Sequence, residues 1–203
     1  MSKSTKGTLI MIAIGAIVVL LAIVAIVLRP EGKPVHWIVR GAGMVGYVSI
    51  FLAILSSAYM RELYRFLGRP FVWGHHVLSI SGLILIALHP TILAIETASA
   101  AVFVPRFDSW QIFWLLGGRP ALYLIAIASL AALLRKSWPK NWRTIHMLNY
   151  IAFVLGTVHA VLIGTDFGQP FLRLVPITMA LVMVAVFVRK RMGQRRAKVQ
   201  RRR

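Results

Sequence analysis

Six histidines, His36, His75, His76, His89, His146 and His159, carry most of the reactive chemistry in this 203-residue chain. Four of them fall at or inside long apolar runs, where ionisable side chains are costly and usually functional. His75 and His89 are 14 residues apart, and His146 and His159 are 13 apart. On α-helices these spacings are axial separations of about 21 and 20 Å. The two pairs therefore match in height, and the runs that carry them are the third and fifth of the chain, so they point the same way. His75 then faces His146 at one level, and His89 faces His159 at the other. Two neutral imidazoles across a gap suit the two axial positions of a haem iron. Two such pairs predict two stacked, non-covalent b-type haems, one per leaflet. The chain has no cysteine, which excludes disulfides, iron–sulfur clusters, thiolate zinc sites and covalent haem attachment.

Helical geometry sharpens and complicates this. Fourteen steps bring His75 and His89 to within about 40° of one face, whereas thirteen leave His146 and His159 about 140° apart on an ideal helix. Either the two haems sit on different flanks of the fifth helix, or that helix is distorted near Gly156. His76, one position closer to His89 and so turned away from its face, is the rival of His75 and is expected at the inner interface. His36 lies beside Trp37 and reads as an interfacial residue. Two plainer readings stay open. One is helix-packing histidines bonded to neighbouring carbonyls. The other is a proton or metal transporter, although no carboxylate lies within the runs to share a metal.

The elements that must hold these residues are membrane helices. Hydrophobic residues make up 59% of the chain and charged residues 14%, against about 25% charged in soluble domains. Mean hydropathy is +0.77. Six apolar runs, at about 8–28, 38–59, 71–95, 120–134, 144–163 and 171–188, are read as spans. The first is too long for a signal peptide, whose apolar region is about 7–15 residues. One transmembrane domain over residues 1–191 is expected, with a basic, solvated tail at 192–203. Six spans place both termini on one side. That side holds 18 Lys and Arg with the single acid Glu62, and the other holds six with four acids. The positive-inside rule makes the first side cytoplasmic. The net charge of +19 is then topological and gives no support to nucleic-acid binding. Trp37, Trp110 and Trp114 fall near outer ends of spans, and Trp73, Trp138 and Trp142 near inner ends, as an interfacial belt requires.

The histidine spacing resembles that of the ferric reductase-like transmembrane domain shared by NADPH oxidases, ferric reductases and the MsrQ/YedZ-type haem-binding membrane subunits. The local strings are similar too: Gly74, His75 and His76 through Leu88, His89 and Pro90, then Trp142 to Tyr150 through Val158 and His159. The resemblance covers roughly residues 41–191, with its specific part in spans three to five. It implies an all-α six-helix bundle with two bis-histidine haems between helices three and five. His75, His89, His146 and His159 would be the iron ligands, and the activity transmembrane electron transfer. Oxidases and ferric reductases carry a flavin and nicotinamide domain after the last helix, whereas here 15 residues, rich in Arg and Lys, follow Val188. The chain thus resembles a stand-alone electron-transfer subunit.

Haem propionates call for cations. Arg69 and Arg143 are candidates at the inner level, with Arg40, Arg106 and Arg173 at the outer; interface snorkelling is the plainer role for each. Gly43, Gly46, Gly82 and Gly156 leave room for porphyrin faces or for close helix contact. The outer stretch 97–119 carries Phe103, Phe107, Trp110, Phe113 and Trp114, as a membrane-lying loop or a lid.

The expected protein is a multi-pass, N-in/C-in cell-membrane cytochrome. Its donor would be a cytoplasmic flavin reductase (bringing FMN or FAD) or a quinol. Its acceptor would be ferric iron, O₂ or a partner reductase on the outer side. An MsrQ-like subunit of a periplasmic reductase and a non-redox helical subunit of a larger complex are the alternatives.

Overall fold

The computed structural model describes residues 3–28, 33–67, 70–167 and 170–200. These are helical almost throughout, with no strand among them. The helices are α1 (Lys3–Leu28), α2 (Pro34–Ala58), α3 (Met60–Leu67), α4 (Pro70–Glu96), α5 (Trp110–Leu115), α6 (Gly118–Leu133), α7 (Trp142–His146), α8 (Leu148–Ile163) and α9 (Pro170–Gln200). Five helical stretches are long and apolar enough to cross a bilayer: Pro34–Ala58, Val72–Glu96, Gly118–Lys136, Trp142–Ile163 and Leu172–Gly193. The protein is therefore all-α and of multi-pass membrane type. Large apolar side chains such as Ile12, Ile80, Leu133, Ile151 and Leu181 cover the outside of these helices. Such a surface suits hydrocarbon and would aggregate in water.

Proline and serine set several starts. Pro34 begins α2 and Pro70 begins α4, positions where a missing N–H costs nothing. The hydroxyl oxygen of Ser109 accepts the backbone N–H of Ile112 and caps α5. Pro90 lies inside α4 and Pro176 inside α9, each removing one intrahelical bond.

Packing falls into two helix pairs. α4 lies along α2, and α8 lies along α6, while α4 and α8 hardly touch each other. Since lipid is as apolar as leucine, close packing rather than hydrophobic burial joins such helices. Small residues supply it. A Cβ on Gly46 would stand 3.0 Å from Ile86, and one on Gly82 3.0 Å from Ile50, so these two glycines let α2 and α4 meet. Ala121, Ile125, Ala152 and Leu155 join α6 to α8. Ile50, Ile54, Phe153 and Met183 join α2, α8 and α9. Leu83 and Ile86 of α4 pack against both clusters at mid-height.

The short helix α3 touches both α1 and α9. A Cβ on Gly7 of α1 would meet the Leu67 carbonyl of α3 at 2.9 Å, and Lys190 of α9 lies 3.6 Å from Glu62 of α3. At the opposite end of α1, Ile26 lies against Gly41 near the start of α2.

Several expected boundaries move. The loop at 61–69 is largely the helix α3, whose first turn holds Glu62, where an acid favours the helix N-terminus. The basic arm after Val188 continues α9 to Gln200, because Arg, Lys, Gln, Ala and Met are all good helix formers. The fifth span breaks at Met147, whose ψ of −11° departs from the helical value of about −42°. Of the two alternatives for the fifth span, a distortion near Gly156 is not found: Gly156 lies inside α8 and faces open space.

Candidate functional site

All four span histidines are held in the same way. His75 Nδ1 lies 3.1 Å from the Ala53 carbonyl oxygen, and His89 Nδ1 2.9 Å from that of Val39. His146 Nδ1 lies 2.9 Å from the Ala128 oxygen, and His159 Nδ1 3.0 Å from that of Leu115. A carbonyl oxygen can only accept, so each Nδ1 carries the proton and donates it. The remaining nitrogen, Nε2, is then left with its lone pair. This is the arrangement that orients imidazole ligands at metal centres.

The four bonds follow from antiparallel register. Val39 and Ala53 have the same spacing along α2 as His89 and His75 have along α4. Leu115 and Ala128 likewise repeat the spacing of His159 and His146. On one side α2 supplies both carbonyls to the histidines of α4; on the other, α6 supplies the one that holds His146 and the end of α5 the one that holds His159. A one-residue turn at Met147 lies between His146 and the start of α8.

The two histidines expected at the inner level come to one cavity. His75 and His146 line one cleft, together with Ile54, Ser79, Leu83 and Tyr150. Its cavity volume is about 180 Å³, smaller than the about 300–1,000 Å³ of typical ligand pockets, and it is partly open to the outside. His75 and His146 are within electrostatic range of each other, and so are His89 and His159. His76, by contrast, is exposed and touches His75 edge-on at 5.8 Å between ring centroids. His75 therefore holds the carbonyl bond and lines the cleft, and His76 does neither.

Glycines make room for the outer pair. A Cβ on Gly43 would stand 2.9 Å from His89 Nδ1, and one on Gly118 2.8 Å from His159 Cδ2. Gly43 was legible as a small residue facing the site. Gly118 was not singled out, although the Gly117–Gly118 pair at a helix start is a signal for close approach.

These features fit two bis-imidazole groups. The donors are imidazoles, and each ring is oriented from behind by a backbone carbonyl. Among the described residues no group of three or more His, Cys, Asp or Glu forms a metal cluster; the histidines come in twos.

The cations are placed less uniformly. Arg40 reaches Asp166, with Nε 2.9 Å from Oδ1 and Nη2 also in contact, and both side chains are largely buried. The pair ties the start of α2 to the turn between α8 and α9. Arg106 pairs with Asp108 at 2.7 Å, exposed. Arg143 is exposed and lies over the Trp142 ring at 5.3 Å. Arg173 is exposed on α9. Arg69 lies outside the described residues. Arg119 was missed: it starts α6, lies within electrostatic range of His159, and donates to the Val104 carbonyl at 2.8 Å. His36 forms a 3.0 Å contact with Glu96, joining the outer ends of α2 and α4.

The outer stretch is more ordered than a loop. Phe107, Trp110, Phe113 and Trp114 form a run of ring contacts 5.1–5.8 Å between centroids, with Phe107 and Trp110 exposed. Phe153 is a core residue stacked on Tyr47 at 4.5 Å.

A family model described as a domain of unknown function (DUF8596) matches residues 34–166. No curated protein and no solved structure matches the chain. The matched stretch runs from the start of α2 to Asp166. It contains the four span histidines, the four carbonyls that hold them, both glycine seats and the Arg40–Asp166 pair. On that match, which covers more than half of the chain, the protein belongs to the DUF8596 family.

Proposed function

We propose that this protein is a transmembrane b-type dihaem cytochrome. Electrons would enter from a cytoplasmic donor, a flavin reductase or quinol, and leave to an outer-side acceptor: ferric iron, O₂ or a partner reductase. The observation that carries the reading is the fourfold Nδ1-to-carbonyl anchoring of the span histidines. Helix packing alone does not call for it. An interhelical hydrogen bond in a membrane averages about 0.6 kcal/mol, a small return for four ionisable side chains held in one common pose.

His75 and His146 would hold the inner haem, and His89 and His159 the outer. A haem so held supplies reversible one-electron chemistry. With two imidazoles of the chain holding each group, no ligand position would be left for substrate. Leu83 and Ile86, packed at mid-height, separate the two levels with apolar side chains. Arg143 and Arg119 bring positive charge to the inner and outer levels respectively.

Counting α1 as a span gives six. Its support is length (26 residues, about 39 Å as a helix) and its course from α3 at one end to Gly41 at the other. The N-terminal part of α1 and Lys190 of α9 both abut α3, which puts the termini together. The basic residues concentrated at that end favour the N-in/C-in orientation in a cell membrane.

The test is a reduced-minus-oxidised absorption spectrum of the purified full chain, with haem quantified against protein. About two haems per chain, falling to about one in His89→Ala, is the expected result. No haem in folded protein expressed with haem supplied would overturn the reading.

A further inference from the structure

We infer that Ser56 is a positioning residue for His75 and that it lowers the reduction potential of the inner haem relative to the outer. The inference rests on the two-haem reading and concerns one atom, the Ser56 hydroxyl oxygen. His75 Nδ1 lies 3.1 Å from this oxygen as well as 3.1 Å from the Ala53 carbonyl. The hydroxyl donates its own proton to the same Ala53 carbonyl at 2.8 Å. Its lone pairs are therefore what it presents to the imidazole, so the His75 Nδ1–H is shared between two acceptors. Ser56 is buried, so water does not compete for these bonds.

The arrangement is not the generic behaviour of serine in a helix. Ser57 and Ser81 also bond back to carbonyls three and four residues earlier, and among the described residues neither hydroxyl bonds a histidine. Nor do the outer ligands have an equivalent. Among the described residues, His89 and His159 bond through Nδ1 to one carbonyl each. His146 meets the Asn149 side-chain amide at 3.4 Å, a longer and weaker contact.

An additional acceptor on Nδ1–H draws that proton outward and leaves more negative charge on the ring. The ligating Nε2 becomes a stronger donor, which favours the oxidised metal. The bond from Ser56 to Ala53 polarises the hydroxyl and makes its oxygen a better acceptor. The two levels thus differ through groups of the chain itself, with the inner pair made the more electron-rich.

The experiment is a redox titration of the haem-loaded full chain, in the parent and in a His89→Ala background that retains the inner haem. Ser56→Ala is expected to raise the midpoint of one of the two components and leave the other in place. In the His89→Ala background the single remaining component should rise. Ser56→Thr, which keeps the hydroxyl, should return the parent value, and Ser81→Ala should move neither component. The low-spin electron paramagnetic resonance signal of the shifted component should change with it, a readout independent of turnover. If Ser56→Ala does not hold its fold, Ser56→Cys, with a weaker acceptor of similar size, is expected to shift the same component in the same direction. Equal movement of both components, or movement of neither, overturns the inference while the two-haem reading stands. A parent chain that binds no haem overturns both.

Discussion

Gly43 is the seat of the His89 ring: a Cβ at that position would stand 2.9 Å from Nδ1, the atom bonded to the Val39 carbonyl. Gly118 plays the same part under His159, at 2.8 Å from Cδ2. Approaches this close force a displacement, and each imidazole is already tied down by its hydrogen bond. Gly43→Ala and Gly118→Ala are therefore expected to lower the haem-to-protein ratio from about two toward one. Gly15→Ala, where nothing lies within 4 Å, should leave it unchanged. A ratio of two in both seat variants would show that the rings move without consequence.

Arg40 and Asp166 form a buried ion pair, with side chains 11% and 7% exposed. Breaking a buried pair by removing one partner leaves an uncompensated charge and costs about 3–5 kcal/mol. Asp166→Asn and Arg40→Met should each lower the unfolding midpoint in detergent substantially. The double variant Arg40→Met/Asp166→Leu should recover a good part of the loss. Arg40→Lys should not restore stability, because a lysine cannot reproduce contacts from both Nε and Nη2.

His75→Ala and His76→Ala should separate cleanly. The first removes a ring that lines the cleft and bonds Ala53, so it should abolish the inner haem signal. The second removes an exposed neighbour and should keep both haems. Equal loss in the two variants would mean that the adjacent rings substitute for each other.

At the outer surface the Arg106 guanidinium donates to Asp108 and, together with Asp108's own backbone N–H, holds its carboxyl below the usual carboxylate range. A depressed folded-state pKa contributes stability that is present above the unfolded value, about 3.9, and is lost as pH falls through the folded one. Nuclear magnetic resonance titration of Asp108 should therefore give a midpoint below about 3.9. Arg106→Gln should return it to the ordinary range. Because the pair is fully exposed and screened by salt, Asp108→Asn should leave the unfolding midpoint within error at physiological ionic strength.

Much of this architecture was legible in the sequence because membrane helices write their own signals. Apolar runs long enough to cross hydrocarbon mark five spans that the structure contains. The preference for His75 over His76 followed from helical phase, since only His75 is spaced to share a face with His89. The carbonyl bond and the cleft do fall to His75. The helix α3 was missed because eight residues with one acid among basic and apolar neighbours read as a connecting loop. The break at Met147 was missed because neither proline nor glycine marks it; its ψ departs from helical values between two ordinary helical residues.

What the sequence by itself determined is periodic: which residues share an apolar run and how far apart they lie along it. Helical rise converts residue number directly into axial distance, so those relationships needed no partner. What only the tertiary structure decided is lateral. The carbonyls of Val39, Ala53, Leu115 and Ala128 lie between 18 and 50 residues from the rings they hold. They carry no side-chain identity to read. Gly118 beneath His159 and Ser56 beside His75 are contacts between helices. They depend on which faces α2 and α4, and α6 and α8, turn toward each other, and packing alone sets that rotation.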